Sequence, residues 1–188
     1  MAPSTLTRRF SRQEYYQMAQ AGILRPDERV ELIEGEIFAM TPQGTPHAAF
    51  IAFLDKVLQQ GFGEQVSIRT QLPLTLSQYS EPEPDLAVVA GSPLDYAQHH
   101  PTAALLIVEI ADTSLTDDRS RKGPLYAKYN VPEYWIVNIP DRQVEIYRNP
   151  SSTGYQTTKM AKAPKTISPL HAPHCTLNLS QLFAALNP

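Results

Sequence analysis

The 188-residue chain is long enough for one domain whose core needs no disulfide or metal staple, and its 42% apolar and 19% charged residues exclude a disordered or coiled-coil chain. With 16 Lys and Arg against 19 Asp and Glu the net charge is -3, so any nucleic-acid partner must be met by a local basic patch. The single cysteine, Cys175, excludes an intrachain disulfide and a cysteine-based zinc cage, and it fits a reducing compartment.

Thr7-Arg8-Arg9-Phe10 has the arginine pair of an export signal, but no apolar stretch follows it. No window approaches the roughly 18 apolar residues of a membrane span. A cytoplasmic protein with no membrane partner is the expectation. The 17 prolines against 8 glycines imply many rigid turns.

Ser11 followed by Glu14 is a capping-box pattern that opens a short helix, with Gly22 as its stop. Arg29 to Met40 reads as a hairpin about Glu34-Gly35-Glu36. Thr45-Pro46 opens a second helix, whose stripe of Ile51, Leu54 and Leu58, with Phe50 and Val57 beside it, runs to Gly61. Alternation from Gln65 to Leu76 suggests two short strands, the second broken or placed at an edge by Pro73. The near-continuous apolar runs from Asp85 to Val89 and from Ala104 to Ile110 suit strands covered on both faces, at the centre of a sheet. Tyr134 to Val137 and Val144 to Tyr147 flank Pro140-Asp141-Arg142 as a further hairpin, and after Pro150 the chain turns polar and ends in a short helix around Ser180 to Leu186. The fold class is α+β: a mixed central sheet flanked by helices, in a single domain over residues 1–188.

Four residues carry the candidate chemistry: Glu31, Asp85, Glu109 and Lys122. Asp85 opens one apolar strand and Glu109 lies near the end of the next. An ionised carboxylate in such surroundings needs a cation, a metal or hydrogen-bond donors. If the two strands are neighbours, both acids face one cleft, and their repulsion raises a carboxylate pKa until a divalent cation neutralises them.

Pro84-Asp85 followed by Glu109 on an apolar strand resembles the PD-(D/E)XK nuclease signature. The longer series narrows the likeness: Arg29-Val30-Glu31-Leu32-Ile33-Glu34-Gly35-Glu36, His47, Val108-Glu109-Ile110, Ser114, Asp118, Lys122, Tyr126 and Val131-Pro132-Glu133-Tyr134-Trp135 are similar to the Uma-two (Uma2) family of endonucleases. The likeness covers about residues 28–147. It implies a restriction-endonuclease-like fold, a DNA substrate, Mg²⁺ or Mn²⁺ as cofactor and, by analogy, a homodimer. It further implies that Asp85 and Glu109 are the principal metal ligands, with the Ile110 carbonyl as a third. Glu31 then completes the site directly or through water, and Lys122 supplies the cation. That lysine comes from the following helix, with Asp118 and Tyr126 on its face, and Ala111 stands where many such nucleases carry it. The resemblance assigns His47 a place but no role.

The chain departs from the family at Gly123-Pro124, where an interior proline costs a helix roughly 3 kcal/mol. Either the helix starts near Ser120, with Pro124 in its first turn, or a kink swings Lys122 away. The second outcome leaves an alternative function, a catalytically degenerate nuclease fold that binds nucleic acid or a protein partner. The bland readings are a structural salt bridge from Glu109 to Arg119 or Arg121, a cross-hairpin pair for Glu31 and a solvated patch for Lys122. His171-Ala172-Pro173-His174-Cys175 matches no standard zinc spacing, Ser114 lacks a nucleophile elbow, and Tyr134 and Trp135 suit the core.

Overall fold

The computed structural model describes residues 7–184 and 186. Helix α1 (Arg12–Gln20) begins with the reciprocal cap its sequence announces: the Ser11 hydroxyl accepts from the Glu14 N–H, and the Glu14 carboxylate accepts from the Ser11 N–H. Strands β1 (Val30–Ile33) and β2 (Glu36–Ala39) turn through Glu34 and Gly35, both at positive φ. A side chain at Gly35 has no room, since a Cβ there would stand 2.5 Å from the Arg9 Cβ. Helix α2 (Thr45–Phe62) buries Phe50, Ile51, Leu54 and Leu58 and is capped by Gly63, beyond the expected Gly61.

Six strands form one sheet in chain order: β3 (Val66–Thr70), β4 (Leu86–Ala90), β5 (Leu106–Ala111), β6 (Glu133–Asn138), β7 (Gln143–Ser151) and β8 (Gly154–Lys162). Every neighbouring pair is antiparallel except β5 and β6. That parallel pair requires a crossover. It is supplied by α3 (Leu115–Asp117), a π-helical turn (Asp118–Lys122) and α4 (Gly123–Lys128). A small ladder of β9 (Thr166–Ile167) and β10 (Leu177–Asn178) leads into α5 (Leu179–Ala184).

Side chains alternate across β4 and β5 as the pleat requires. Leu86, Val88, Leu106, Val108 and Ile110 join the core beneath α2 and α5, while Ala87, Val89, Ile107 and Ala111 face the opposite core of Ile33, Leu125, Tyr126 and Tyr134. Glu109 therefore stands in the row of Ile107 and Ala111, an acid in the middle of an apolar face.

One expectation is corrected. Residues 72–76 form no strand, because Gln71 turns at positive φ and the next segment bonds outside the sheet, Leu74 N–H to Pro82 and Thr75 N–H to Pro101. The polar region after Pro150, for which the sequence suggested no element before the final helix, holds the long edge strand β8. It lacks an apolar pattern because the hydrogen bonds to β7 hold it while its outer side faces water, and of its last four residues only Ala161 is buried.

Candidate active site

Strand register brings the first two acids together. The β4–β5 ladder ends at Leu86 opposite Val108, and one further step of the same register sets Asp85 opposite Glu109 on the face toward α4. The Asp85 N–H donates to Glu109 Oε2 at 3.3 Å, and Asp85 Oδ2 accepts from the Ile110 N–H at 2.8 Å. Because a strand residue points its N–H and C=O to the same side, the Ile110 carbonyl faces the gap beside Asp85, whereas the Ala111 carbonyl turns the other way and accepts from the Ile139 N–H. Asp85 Oδ1 accepts from Gln71 at 3.1 Å and lies 2.9 Å from His47 Nε2 in the first turn of α2.

The crossover supplies the cation. Lys122 Nζ is 3.1 Å from Glu109 Oε1 and 3.3 Å from Glu31 Oε1, and Tyr126 donates to Glu109 Oε1 at 2.8 Å. Glu31 Oε2 accepts from the Glu83 N–H, which ties β1 to the segment leading into β4. All four predicted side chains, Glu31, Asp85, Glu109 and Lys122, meet here and are buried.

Pro124 does not divert Lys122. The helix starts earlier than Ser120, at Leu115, and the strain is absorbed in the π turn, where the Gly123 N–H reaches back to the Asp118 carbonyl. Single π turns of this kind re-aim side chains within a helix. Gly123 permits close packing, since a Cβ there would lie 3.3 Å from that carbonyl and 3.5 Å from the Tyr134 ring.

A bidentate pair fastens the turn to the sheet: Arg119 Nε and Nη2 donate to the two oxygens of Glu145 at 2.9 and 2.5 Å. Arg121 pairs with Asp117 instead, so neither arginine neutralises Glu109. Burial works against the Glu145 charge, but hydrogen bonds from Arg119, Asn138 and Tyr147 prevail and bring its pKa down to about 2. A depressed carboxylate stabilises the fold fully above its unfolded pKa of about 4.5, and that contribution is lost as pH falls toward about 2. We expect Glu145→Gln to cost about 2 kcal/mol at pH 7, a figure discounted for the half-exposed Arg119, and the gap from wild type to close between pH 4.5 and 2 in urea titrations. A gap independent of pH would refute this account of the pair.

Burial raises the Glu109 pKa well above the ordinary carboxylate value; Lys122 opposes the rise, while Asp85, Asp118 and Glu31 add to it. Burial likewise works against the Lys122 charge, but Glu109, Glu31 and Asp118 outweigh it and hold the ammonium above its usual pKa. Asp118 is pushed up to about 6, chiefly by burial. Burial would raise Asp85 as well, yet the His47 contact and the Ile110 N–H keep it below its usual value. Asp85 is thus the ready anion of the pair, and Glu109 needs a further positive charge to ionise freely.

These groups line a cavity of about 570 Å³ with seven carboxylates, Glu31, Glu83, Asp85, Glu109, Asp112, Asp117 and Asp118, against two permanent cations, Arg121 and Lys122. The donors are hard oxygens, which suit magnesium or manganese better than zinc. Among the described residues no three Asp, Glu, His or Cys side chains form a ready-made cage. Magnesium requires less, since it usually retains several waters and takes one or two carboxylates, so Asp85, Glu109 and the Ile110 carbonyl fit it.

Gln71 and Glu83 were not legible as site residues, because one itself makes the left-handed turn after β3 and the other lies between two prolines. The other motifs fall elsewhere. Tyr134 and Trp135 are fully buried, Ser114 donates to Asp118, and His174 contacts the Gly61 carbonyl. No helix among the described residues is long and apolar enough to cross a membrane.

The Uma2 family model, described as "Putative restriction endonuclease", matches residues 12–180. The chain belongs to the Uma2 family. Among solved structures, this Uma2 chain is similar to the crystal structure of "a putative nuclease belonging to DUF820" from Anabaena variabilis ATCC 29413, with 20% identity and a TM-score of 0.74. The match covers 95% of this chain and 99% of that one, a likeness of fold. No curated protein matches the Uma2 chain.

Proposed function

We propose that this Uma2 protein is a divalent-metal-dependent endonuclease that hydrolyses DNA phosphodiester bonds in the cavity above Asp85 and Glu109. The observation that carries this reading is the convergence of three buried carboxylates and one buried ammonium group from β1, the residue just before β4, β5 and the π turn. The descriptions of the family and of the Anabaena structure both speak of a nuclease, which supports it.

Asp85, Glu109 and the Ile110 carbonyl would hold Mg²⁺ or Mn²⁺. When bound, such an ion lowers the pKa of a water and stabilises charge on phosphoryl oxygens. The remaining work falls to the chain. Lys122 is held protonated by its acidic neighbours, and its ammonium stabilises the negative charge that builds on the attacking oxygen and the phosphoryl group. Glu31 positions Lys122. His47 and Gln71 occupy one oxygen of Asp85 and the Ile110 N–H the other, which fixes the carboxylate plane. Tyr126 shares Glu109 Oε1 with Lys122 and leaves Oε2 on the side of Asp85.

Purified protein is expected to nick supercoiled plasmid in Mg²⁺ or Mn²⁺ and to stop when EDTA is added, with a Lys122→Ala control inert. Equal nicking by wild type and control would mark a contaminant and overturn the assignment. Cutting both strands needs two sites, which we assign to a homodimer. Linear product formed without accumulation of nicked circles supports the pair, and nicked circles alone count against it.

A further inference from the structure

A second cavity, of about 410 Å³, adjoins the first, with Phe38 and Arg121 in the lining of both. It lies between the Glu34-Gly35 turn, helix α4 and the β7–β8 turn. Its charged lining is Arg9, Arg121 and Lys128 against Glu34 and Glu36, and Ser120, Ser152 and Thr153 add hydroxyl groups. The active-site cavity is heavily acidic, whereas this one has an excess of cations. Its groups are also arranged rather than scattered. Arg121 lies with its guanidinium carbon 3.6 Å from the centre of the Phe38 ring and is braced by Asp117 at 2.7 Å. Lys128 is exposed and pairs with Glu34, and Arg9 is exposed with no ion-pair partner among the described residues.

The geometry points to this cavity as a subsite for the nucleic-acid backbone beside the phosphodiester that is cut, with Arg9 and Lys128 as its phosphate contacts and Arg121 on the ridge between the two cavities. The inference rests on the nuclease reading. A polyanion entering a cavity lined by seven carboxylates is repelled until it meets compensating cations, and these are the ones next to the site. Spacing agrees. Six helical residues carry Lys128 about 9 Å along the axis from Lys122, which corresponds to two or three nucleotides at about 3.4 Å of rise each. The Lys128 pair with Glu34 is a surface contact of the kind worth little, so a phosphate can displace it. The ligand class is therefore a phosphodiester strand engaged without reading its bases.

The test compares Arg9→Gln/Lys128→Gln with a charge-matched control, Arg25→Gln/Lys56→Gln, whose residues line neither cavity. Cleavage of a labelled DNA duplex is followed in Mg²⁺ from low to physiological salt. The subsite variant should raise KM about tenfold, keep kcat within about twofold and lose about one unit of salt-dependence slope per contact removed, with the control like wild type. Equal shifts in both variants, or none in either, would overturn the subsite while leaving the nuclease reading intact. Absence of metal-dependent cleavage in the wild type would overturn both.

Discussion

Replacing Lys122 with methionine is expected to slow metal-dependent cleavage about 100- to 1000-fold, the usual cost of removing one preorganised electrostatic stabiliser. Methionine keeps the unbranched stem, so the change is mainly one of charge. Stability should respond as well. Without the ammonium, Glu109 and Glu31 are buried carboxylates stripped of their shared cation, and breaking a buried pair of this kind typically costs about 3–5 kcal/mol. Part of that cost is avoided because Glu109 can take up a proton. Its pKa, already raised by burial, climbs further, and a carboxyl group with a raised folded pKa loses stability as pH increases from its unfolded value through the folded one. The metal-free variant should therefore weaken relative to wild type above about pH 4.5. Mn²⁺ should raise its melting temperature more than it raises that of wild type, since the ion replaces the missing charge. Cleavage within tenfold of wild type, measured under single-turnover conditions, would remove Lys122 from the chemistry.

Asp85→Asn and Glu109→Gln are expected to abolish both Mn²⁺ binding by calorimetry and detectable cleavage while the fold survives. Both keep the shape of the side chain and delete a charge. Asp85 is the anion already held ionised by His47 and the Ile110 N–H, and its loss leaves Glu109, whose ionisation burial opposes, as the only remaining principal ligand. Glu109→Gln relieves repulsion with Asp85, Asp118 and Glu31, and Lys122 retains Glu31 at 3.3 Å. Melting temperatures close to wild type in the absence of metal are therefore expected for this variant. Calorimetric traces indistinguishable from wild type in both variants would show that the cation, if any, is held elsewhere.

Much of this arrangement was legible because burial leaves a periodic record. The continuous apolar runs of β4 and β5 correctly marked strands covered on both faces, and Glu109 stood out as an acid interrupting one of them. The stripe on α2 marked its buried face, and Ser11 with Glu14 marked the start of α1. Strand β8 was not legible, because an edge strand is held by main-chain hydrogen bonds that any sequence without proline can make. Gln71 was missed for a different reason: its contact with Asp85 depends on a left-handed turn at a non-glycine residue, which carries no compositional signal.

The amino-acid order by itself determined which segments are buried on one face or two, and which acids would be stranded among apolar neighbours, because hydrophobic periodicity is a local property of strands and helices. Only the tertiary structure decided that β4 and β5 pair with Asp85 one step past the last ladder contact, opposite Glu109, and that a π turn absorbs Pro124 and aims Lys122 at both acids. It also decided that Arg9, from ahead of α1, shares a cavity with Lys128 at the end of α4. Register, helical phase and the meeting of distant segments depend on how ladders end and how whole faces pack, and none of these is written in the spacing of a single segment.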